Sequence, residues 1–227
     1  MTRHPAADPI WEQKYSAGHL QRYPWDCVVS FVFRHAPRDR PHQEVSILEV
    51  GCGTGSNLWF MAREGFQATG IDASPSAIAV ARARLAAASL PVSLHVGNFT
   101  KLPLPDQQFD LAVDRVSLTC VDQVLARQAI KELGRVLKPG GLLFFNPYSA
   151  MHGSRLSGEP AGQGLVTHIN AGTLVGCGQI CFYSKRDVLD VLGDDFEVLS
   201  CRHLQEGDPD GPAEEIHAEW RVIARKR

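Results

Sequence analysis

An apolar run that includes an acid, Ile47-Leu48-Glu49-Val50, breaks into alternating glycines at Gly51-Cys52-Gly53-Thr54-Gly55. A second short apolar run ends at Gly70-Ile71-Asp72. The first pattern predicts a buried strand that turns sharply into a helix. Glycine serves such a turn because the backbone bends hard and a ligand must approach it with no Cβ in the way. Asp72 then falls at the tip of the neighbouring strand, where a carboxylate can accept from both hydroxyls of a ribose. Two kinds of nucleoside ligand suit this arrangement. A dinucleotide takes Gly-x-Gly-x-x-Gly, which seats its pyrophosphate on a helix N-terminus. Here the third glycine comes one position early, and Glu49 precedes the turn. An acid there adds negative charge near a pyrophosphate but suits a cationic ligand.

The elements that must position these residues follow from spacing. Strands are predicted at residues 46–50, 68–71, 92–96, 109–113, 142–145 and 196–201, with a closing strand over 217–224. Between them run helices from Ser56 to a stop at Gly65 and from the Ser74-Pro75 N-cap to about Ala87. A third follows Asp122, with Leu125, Ala129, Ile130, Leu133, Val136 and Leu137 at helical spacing. Strands alternating with helices imply an α/β fold with a parallel sheet, helices on both faces and three layers. Residues 1–40 hold a short aromatic helix signal (Trp11, Tyr15), a turn at Tyr23-Pro24 and an apolar run over 28–33. Residues 146–179 are rich in Gly, Ser and His with no long periodic run. Ser184-x-x-Asp187 is a capping box opening a further helix. Trp25 and Trp220 are expected in the core.

Composition narrows the class. A chain of 227 residues with 44% hydrophobic residues has enough material for one well-packed α/β domain. A formal net charge of −2 argues against a dominant nucleic-acid or membrane footprint. No apolar run approaches the ~20 residues of a membrane-spanning helix. Residues 1–9 are polar and Pro-containing with no apolar h-region, so no secretory signal is expected and the cytoplasm is the expected location. The six scattered cysteines read as buried free thiols. Cys177 and Cys181, spaced C-x₃-C, have no second ligand pair, so no metal site is expected.

Taken together, Glu49-x-Gly51-x-Gly53-x-Gly55, Phe109-Asp110-Leu111-Ala112-Val113 and Leu133-Gly134-Arg135-Val136-Leu137-Lys138-Pro139-Gly140-Gly141 resemble the class I S-adenosylmethionine (SAM) dependent methyltransferases. The likeness covers about residues 45–145, and the opening residues are similar to a set of small bacterial methyltransferases. It implies a Rossmann-like seven-stranded, mostly parallel sheet with an antiparallel last strand, and SAM across the carboxyl ends of strands one, two and four. It divides a single methyltransferase domain into a cap or lid at 1–40, a SAM-binding core at 45–145, an acceptor-side insert at 146–183 and a closing helix and hairpin at 184–227.

By position the resemblance puts Gly51, Gly53 and Gly55 under the methionine and ribose, Asp72 on the ribose hydroxyls and Ala73 beside the adenine. Tyr15, Glu49, Cys52, Asn98, Phe99 and Asp114 complete the expected cofactor set. Where the family often has Gly-Asp after strand three, this chain has Gly97-Asn98, and an amide oxygen can still accept. Leu118-Thr119-Cys120 replaces the histidine pair that many relatives carry after strand four. Tyr15 reads either as a lid or as a staple for the first helix.

Methyl transfer needs an acceptor held in line, plus a base only if the acceptor must lose a proton. Arg115, Tyr148 and His152 are the candidate catalytic residues. Arg115 reads either as a clamp on an anionic acceptor or as an ion-pair partner of Asp114. His19, Arg22, Tyr23, Arg155, His168 and Tyr183 are the candidate acceptor contacts. The expected activity is transfer of a methyl group to an O or N atom of a small polar metabolite, sugars included, by a monomer or homodimer with no membrane or nucleic-acid partner. RNA or protein methylation and a non-catalytic SAM-binding module are the alternatives. A nicotinamide-dependent dehydrogenase stands behind both.

Overall fold

The computed structural model describes residues 8–227; residues 1–7, most of the polar stretch at the start, lie outside the described residues. The element order is α1 (Pro9–Ser16), α2 (Asp26–His35), β1 (Ser46–Val50), α3 (Ser56–Arg63), β2 (Gln67–Asp72), α4 (Pro75–Ala87), β3 (Ser93–Val96), β4 (Phe109–Arg115), α5 (Gln123–Val136), β5 (Leu137–Asn146), β6 (Glu159–Gly162), β7 (Leu165–Thr167), β8 (Ile180–Cys181), α6 (Lys185–Leu192), β9 (Phe196–Glu206) and β10 (His217–Lys226). No described helix is long and apolar enough to cross a membrane.

Seven strands form one sheet in the order β3-β2-β1-β4-β5-β10-β9. All pairs are parallel except those of β10, which runs antiparallel to β5 and β9. The expected mostly parallel sheet with a reversed last strand is therefore present. Every residue of β1 is buried, as a central strand covered on both faces requires. Its side chains alternate between two cores. Leu48 and Val50 join Ile130, Leu133 and Val188 of α5 and α6, while Ile47 joins Phe31, Leu58 and Met61 of α2 and α3. Burying each such side chain contributes about 1.5–3 kcal/mol.

Caps fix where the helices begin. Ser74 accepts from Ala77 N, Asp122 from Leu125 N, and Ser184 with Asp187 closes a reciprocal capping box. Asp110, one of the residues carrying the family likeness, ties strand starts together. Its carboxylate accepts from Ser46 N at 2.9 Å and from Lys138 Nζ at 2.8 Å and 2.9 Å, so the turn after α5 is pinned to the foot of β1.

Three expectations need correction. Residues 138–141 do not separate α5 from its strand. β5 already pairs at Leu137, and the Lys138-Pro139-Gly140-Gly141 segment is an irregularity between the Phe109–Leu137 and Leu111–Leu142 pairs. The stretch at 146–179 is not wholly irregular. It contains a 3-10 helix at Gly153–Ser157, and β7 pairs with β6 on one side and β8 on the other in a small antiparallel sheet. Trp25 is not in the core; it is 39% exposed and faces two cavities.

Candidate active site

The carboxyl ends of β1, β2, β3 and β4 open into a cavity of about 360 Å³, large enough for one nucleoside-sized ligand. It lies where strand order reverses between β1 and β4, the ligand crevice of an open parallel sheet. The glycine turn makes its floor. Gly51 and Gly53 have φ of +64° and +52°, conformations L side chains rarely adopt. A Cβ on Gly51 would lie 2.1 Å from Ser117 Cβ, and one on Gly53 would lie 2.7 Å from the Tyr15 hydroxyl.

Two carboxylates face this floor. Asp72 accepts from Gly53 N (2.8 Å) through one oxygen and from Ser74 N (2.9 Å) through the other. Each oxygen keeps a lone pair for a ligand hydroxyl. Burial pushes the Asp72 carboxyl up, against those two N–H donors. Glu49 is 3% exposed; its Oε1 accepts from Asn57 Nδ2 at 2.6 Å, and its Oε2 has no partner among the described residues. Burial pushes Glu49 up to about 8, opposed by the Asn57 hydrogen bond and reinforced by the charges of Asp72 and Asp114. An acidic, partly unsatisfied pocket of this kind favours a cation.

The helix α1 lines one side of the cavity. Glu12 accepts from both hydroxyls, Ser74 and Ser76 Oγ (the latter at 2.6 Å), at the start of α4, where the helix dipole also favours an acid. Those hydrogen bonds hold the Glu12 carboxyl below its usual range. The rings of Trp11, Tyr15 and His19 pack in sequence at tilted angles, with centroids 6.0 Å and 5.6 Å apart, and all three line the cavity. Burial, then the charge of Asp72, pushes the Tyr15 phenol up. The backbone N–H of Trp25 donates to Asn57 Oδ1 at 3.0 Å, so the segment after α1 is tied to the residue that holds Glu49.

A second cavity, about 460 Å³, adjoins the first across Arg115 and Trp25, which line both. The Arg115 guanidinium lies 4.2 Å over the Trp25 ring. Its charge partner is Glu219 (3.4 Å), not the Asp114 of the ion-pair alternative. Glu219 also takes Arg221 Nε at 2.6 Å and His217 Nε2 at 3.4 Å. Burial raises the Glu219 carboxyl, but the His217 hydrogen bond and the charges of Arg115 and Arg221 outweigh it and hold it down at about 2. Tyr148 lines this second cavity, its phenol pushed up to about 12 by burial.

The structure thus brings Tyr15, Glu49, Gly51, Cys52, Gly53, Asp72, Ala73, Phe99, His19 and Arg115 to one cavity. The other candidates stand elsewhere. Gly55 backs onto Ala81 of α4, 3.1 Å from where its Cβ would be, and serves the turn. The Asn98 amide oxygen is taken by Thr100 N (2.9 Å) and Oγ1 (3.0 Å), so it turns the chain instead of facing the cavity. Asp114 is fully buried, accepts from Ser117 Oγ and Leu118 N, and is pushed up by burial to about 6. It organises the bend after β4.

His152 reaches neither cavity. It is 1% exposed, Nδ1 accepts from Ser154 N at 3.2 Å, Nε2 lies 3.5 Å from Thr173 Oγ1, and burial pushes its pKa down to about 4. Tyr183 is a core residue, edge-on to Phe145, with its hydroxyl 3.5 Å from Leu118 O. Arg22 and Tyr23 are exposed on the loop after α1, and Arg155 is exposed on the 3-10 helix. His168 is exposed and pairs with Glu159 at 3.3 Å.

Sequence reasoning missed Trp11, Trp25, Asn57, His217, Glu219 and Arg221. Only the last three carried a local signal. They alternate on β10 with Ala218, Trp220 and Val222, a polar stripe on the strand face that lines the second cavity.

Residues 47–141 match a family model described as a methyltransferase domain. An uncharacterized protein of Haemophilus influenzae is 36% identical over 104 residues, covering 44% of this chain and 41% of that protein. A malonyl-[acyl-carrier protein] O-methyltransferase of Serratia marcescens is 32% identical over 111 residues, covering 48% and 40%. This chain therefore spans about half the length, or less, of these curated relatives. A solved structure of a SAM-dependent methyltransferase from Methanosarcina mazei superposes with a TM-score of 0.71 at 24% identity over 91% of this chain and 99% of that one, which establishes the shared fold.

Proposed function

We propose, from the premise that residues 47–141 are a methyltransferase domain of the class I type, that this chain binds SAM in the first cavity and transfers its methyl group to an O or N atom of a small polar molecule. The observation that carries the reading is Glu49 Oε2, a buried carboxylate oxygen with no partner, in a cavity that Asp8, Glu12 and Asp72 also line. SAM brings an ammonium and a sulfonium and no phosphate, so its charge matches that surplus of acid. The residues present fit the group. Glu49 would take the ammonium and Asp72 the ribose hydroxyls, while Phe99, Ile71 and Ala73 offer an apolar wall to the adenine.

Held by Glu49 and Asp72, SAM would supply an electrophilic methyl group to a lone pair of the acceptor. The chain's own contribution is placement. Holding the reactants in line supplies on the order of 7–11 kcal/mol. The helix α1, pinned by Glu12 to α4, covers one side of the cofactor cavity. The second cavity, reached past Arg115 and Trp25, gives the acceptor its own chamber.

Calorimetric titration with SAM and S-adenosylhomocysteine, beside Asp72→Ala, tests the cofactor half. The expected result is micromolar binding of both, weakened in the variant by about tenfold or more, roughly 1.4 kcal/mol and the scale of one charged hydrogen bond. A folded protein that binds neither ligand would overturn the reading.

A further inference from the structure

Arg115 ends β4 with a side chain only 7% exposed, at the boundary of the two cavities. One face of its guanidinium is covered by Trp25 at 4.2 Å. Its Nη2 lies 3.4 Å from Glu219 Oε2. Nε and Nη1 are sealed from bulk water and have no acceptor among the described residues. A guanidinium offers five N–H donors, and leaving them unpaired in a dry site is costly. Glu219 cannot remedy this, because the same carboxylate already serves Arg221 and His217. On that side of the second cavity one buried acid is shared among three partners, and Arg221 also lies 3.9 Å from Asp26 Oδ2. Asp26 and Glu206, the other acids lining it, are exposed, so water screens them.

We infer that Arg115 reads a carboxylate on the methyl acceptor, bound in the second cavity. The inference rests on the methyl-transfer reading above. A planar, weakly hydrated guanidinium is the side chain best suited to a carboxylate. Trp25, Tyr148, Leu174 and Leu204 provide flat and apolar wall around it, which suits an unsaturated or aromatic body better than a polyol. Because Arg115 lines both cavities, an acceptor anchored on it stands at their junction, where the methyl group must pass.

The test uses the full chain, free and saturated with S-adenosylhomocysteine. Each form is titrated with benzoate, phenylacetate and 4-hydroxybenzoate and with their neutral amides, in the wild type, Arg115→Gln and Arg115→Lys. At least one carboxylate is expected to bind about tenfold or more tighter than its amide, the scale of a charge-assisted hydrogen bond. Arg115→Gln should erase that preference and Arg115→Lys restore part of it. Equal binding of acids and amides, or no binding of any of them by protein that binds S-adenosylhomocysteine, overturns the inference. So does an Arg115→Gln variant that loses S-adenosylhomocysteine while keeping the acid preference, since the guanidinium would then serve the cofactor's own carboxylate. Acid preference in a protein that binds no S-adenosylhomocysteine overturns the methyl-transfer reading and leaves the anion site standing. The acid–amide comparison in the wild type needs no variant, so a poorly folding Arg115→Gln does not blunt it.

Discussion

Asn57 Nδ2 donates to Glu49 Oε1 at 2.6 Å and leaves Oε2 of the same buried carboxylate without a partner. One oxygen is thus spent on orientation and the other is kept for a ligand. The carboxyl pKa, about 8, means that the free protein holds a proton there at pH 7. A bound cation beside Oε2 favours the ionised form. Cofactor binding near pH 7 is therefore expected to release close to one proton, and the release should fade above about pH 9 as the free carboxyl ionises by itself. Calorimetry in buffers of different ionisation enthalpy measures this directly. Glu49→Gln should remove the release and weaken binding; a variant that still releases a proton would assign it to another group.

Glu49 also shapes stability. An unfolded glutamate titrates near 4.3 and the folded one at about 8. A raised carboxyl pKa gives a stability contribution that is complete below about 4.3 and is lost as pH rises through about 8. Glu49→Gln is expected to flatten that loss, so its urea midpoint should change less than that of wild type between pH 5 and pH 9. Identical profiles for the two proteins would refute the assignment.

Glu219 acts in the opposite sense. Its folded pKa, about 2, lies below the unfolded value, so its stabilisation is present above about 4.3 and disappears as pH falls toward 2. Glu219→Ala leaves Arg115 and Arg221 without their shared acid. Breaking a buried pair from one side typically costs about 3–5 kcal/mol. Arg221 is partly exposed, which places the expected loss at the lower end. Urea denaturation at pH 7 measures it, and a loss under about 1 kcal/mol would mean that water or another group already satisfies the arginines.

Glu12 is the latch of α1. Glu12→Gln removes the charge at the α4 N-terminus and weakens the contact with Ser74 and Ser76. A helix-end charge of this kind tunes an equilibrium by about two- to fivefold. Release of S-adenosylhomocysteine, followed by stopped-flow Trp fluorescence, is expected to quicken by that factor with little change in overall stability. Unchanged release would separate α1 from the cofactor's exit.

The parts of this site that could be read from sequence are those built by contiguous residues. The turn from Glu49 to Gly53 and the tip at Asp72 lie within one β-α-β unit, where strand, turn and helix fix each side chain locally. Asp110 was readable as a motif, although its role is to pin Ser46 and Lys138 rather than to touch a ligand. Glu219 meets Arg115 across 104 positions of chain, through two strands that β5 separates, and no local period encodes that meeting. Trp25 follows the same logic. An aromatic residue at the start of an apolar helix reads as core, whereas the long-range tie from its backbone N–H to Asn57 helps hold it over Arg115. The small sheet of β6–β8 escaped because strands of four, three and two residues are too short to show alternation.

His152 sets the last expectation, because its residue type suggests a base and its surroundings deny it. Both ring nitrogens are engaged by Ser154 and Thr173 inside the insert, and the ring packs against Tyr148 and His217 at 5.2 Å and 5.1 Å. Burial first, and then the neighbouring His217, pushes its pKa down to about 4, whereas an unfolded histidine titrates near 6.5. The unfolded chain therefore takes up a proton that the fold refuses. Stability is complete above about pH 6.5 and is lost as pH falls toward 4, with the linked uptake approaching one proton near pH 5. His152→Asn should be less stable at pH 7, yet show a shallower acid limb between pH 6.5 and pH 4. Its S-adenosylhomocysteine affinity should stay within about twofold of wild type, since the side chain lies outside the cofactor cavity. An acid limb as steep as that of wild type would show that the imidazole is already solvated and free to exchange its proton.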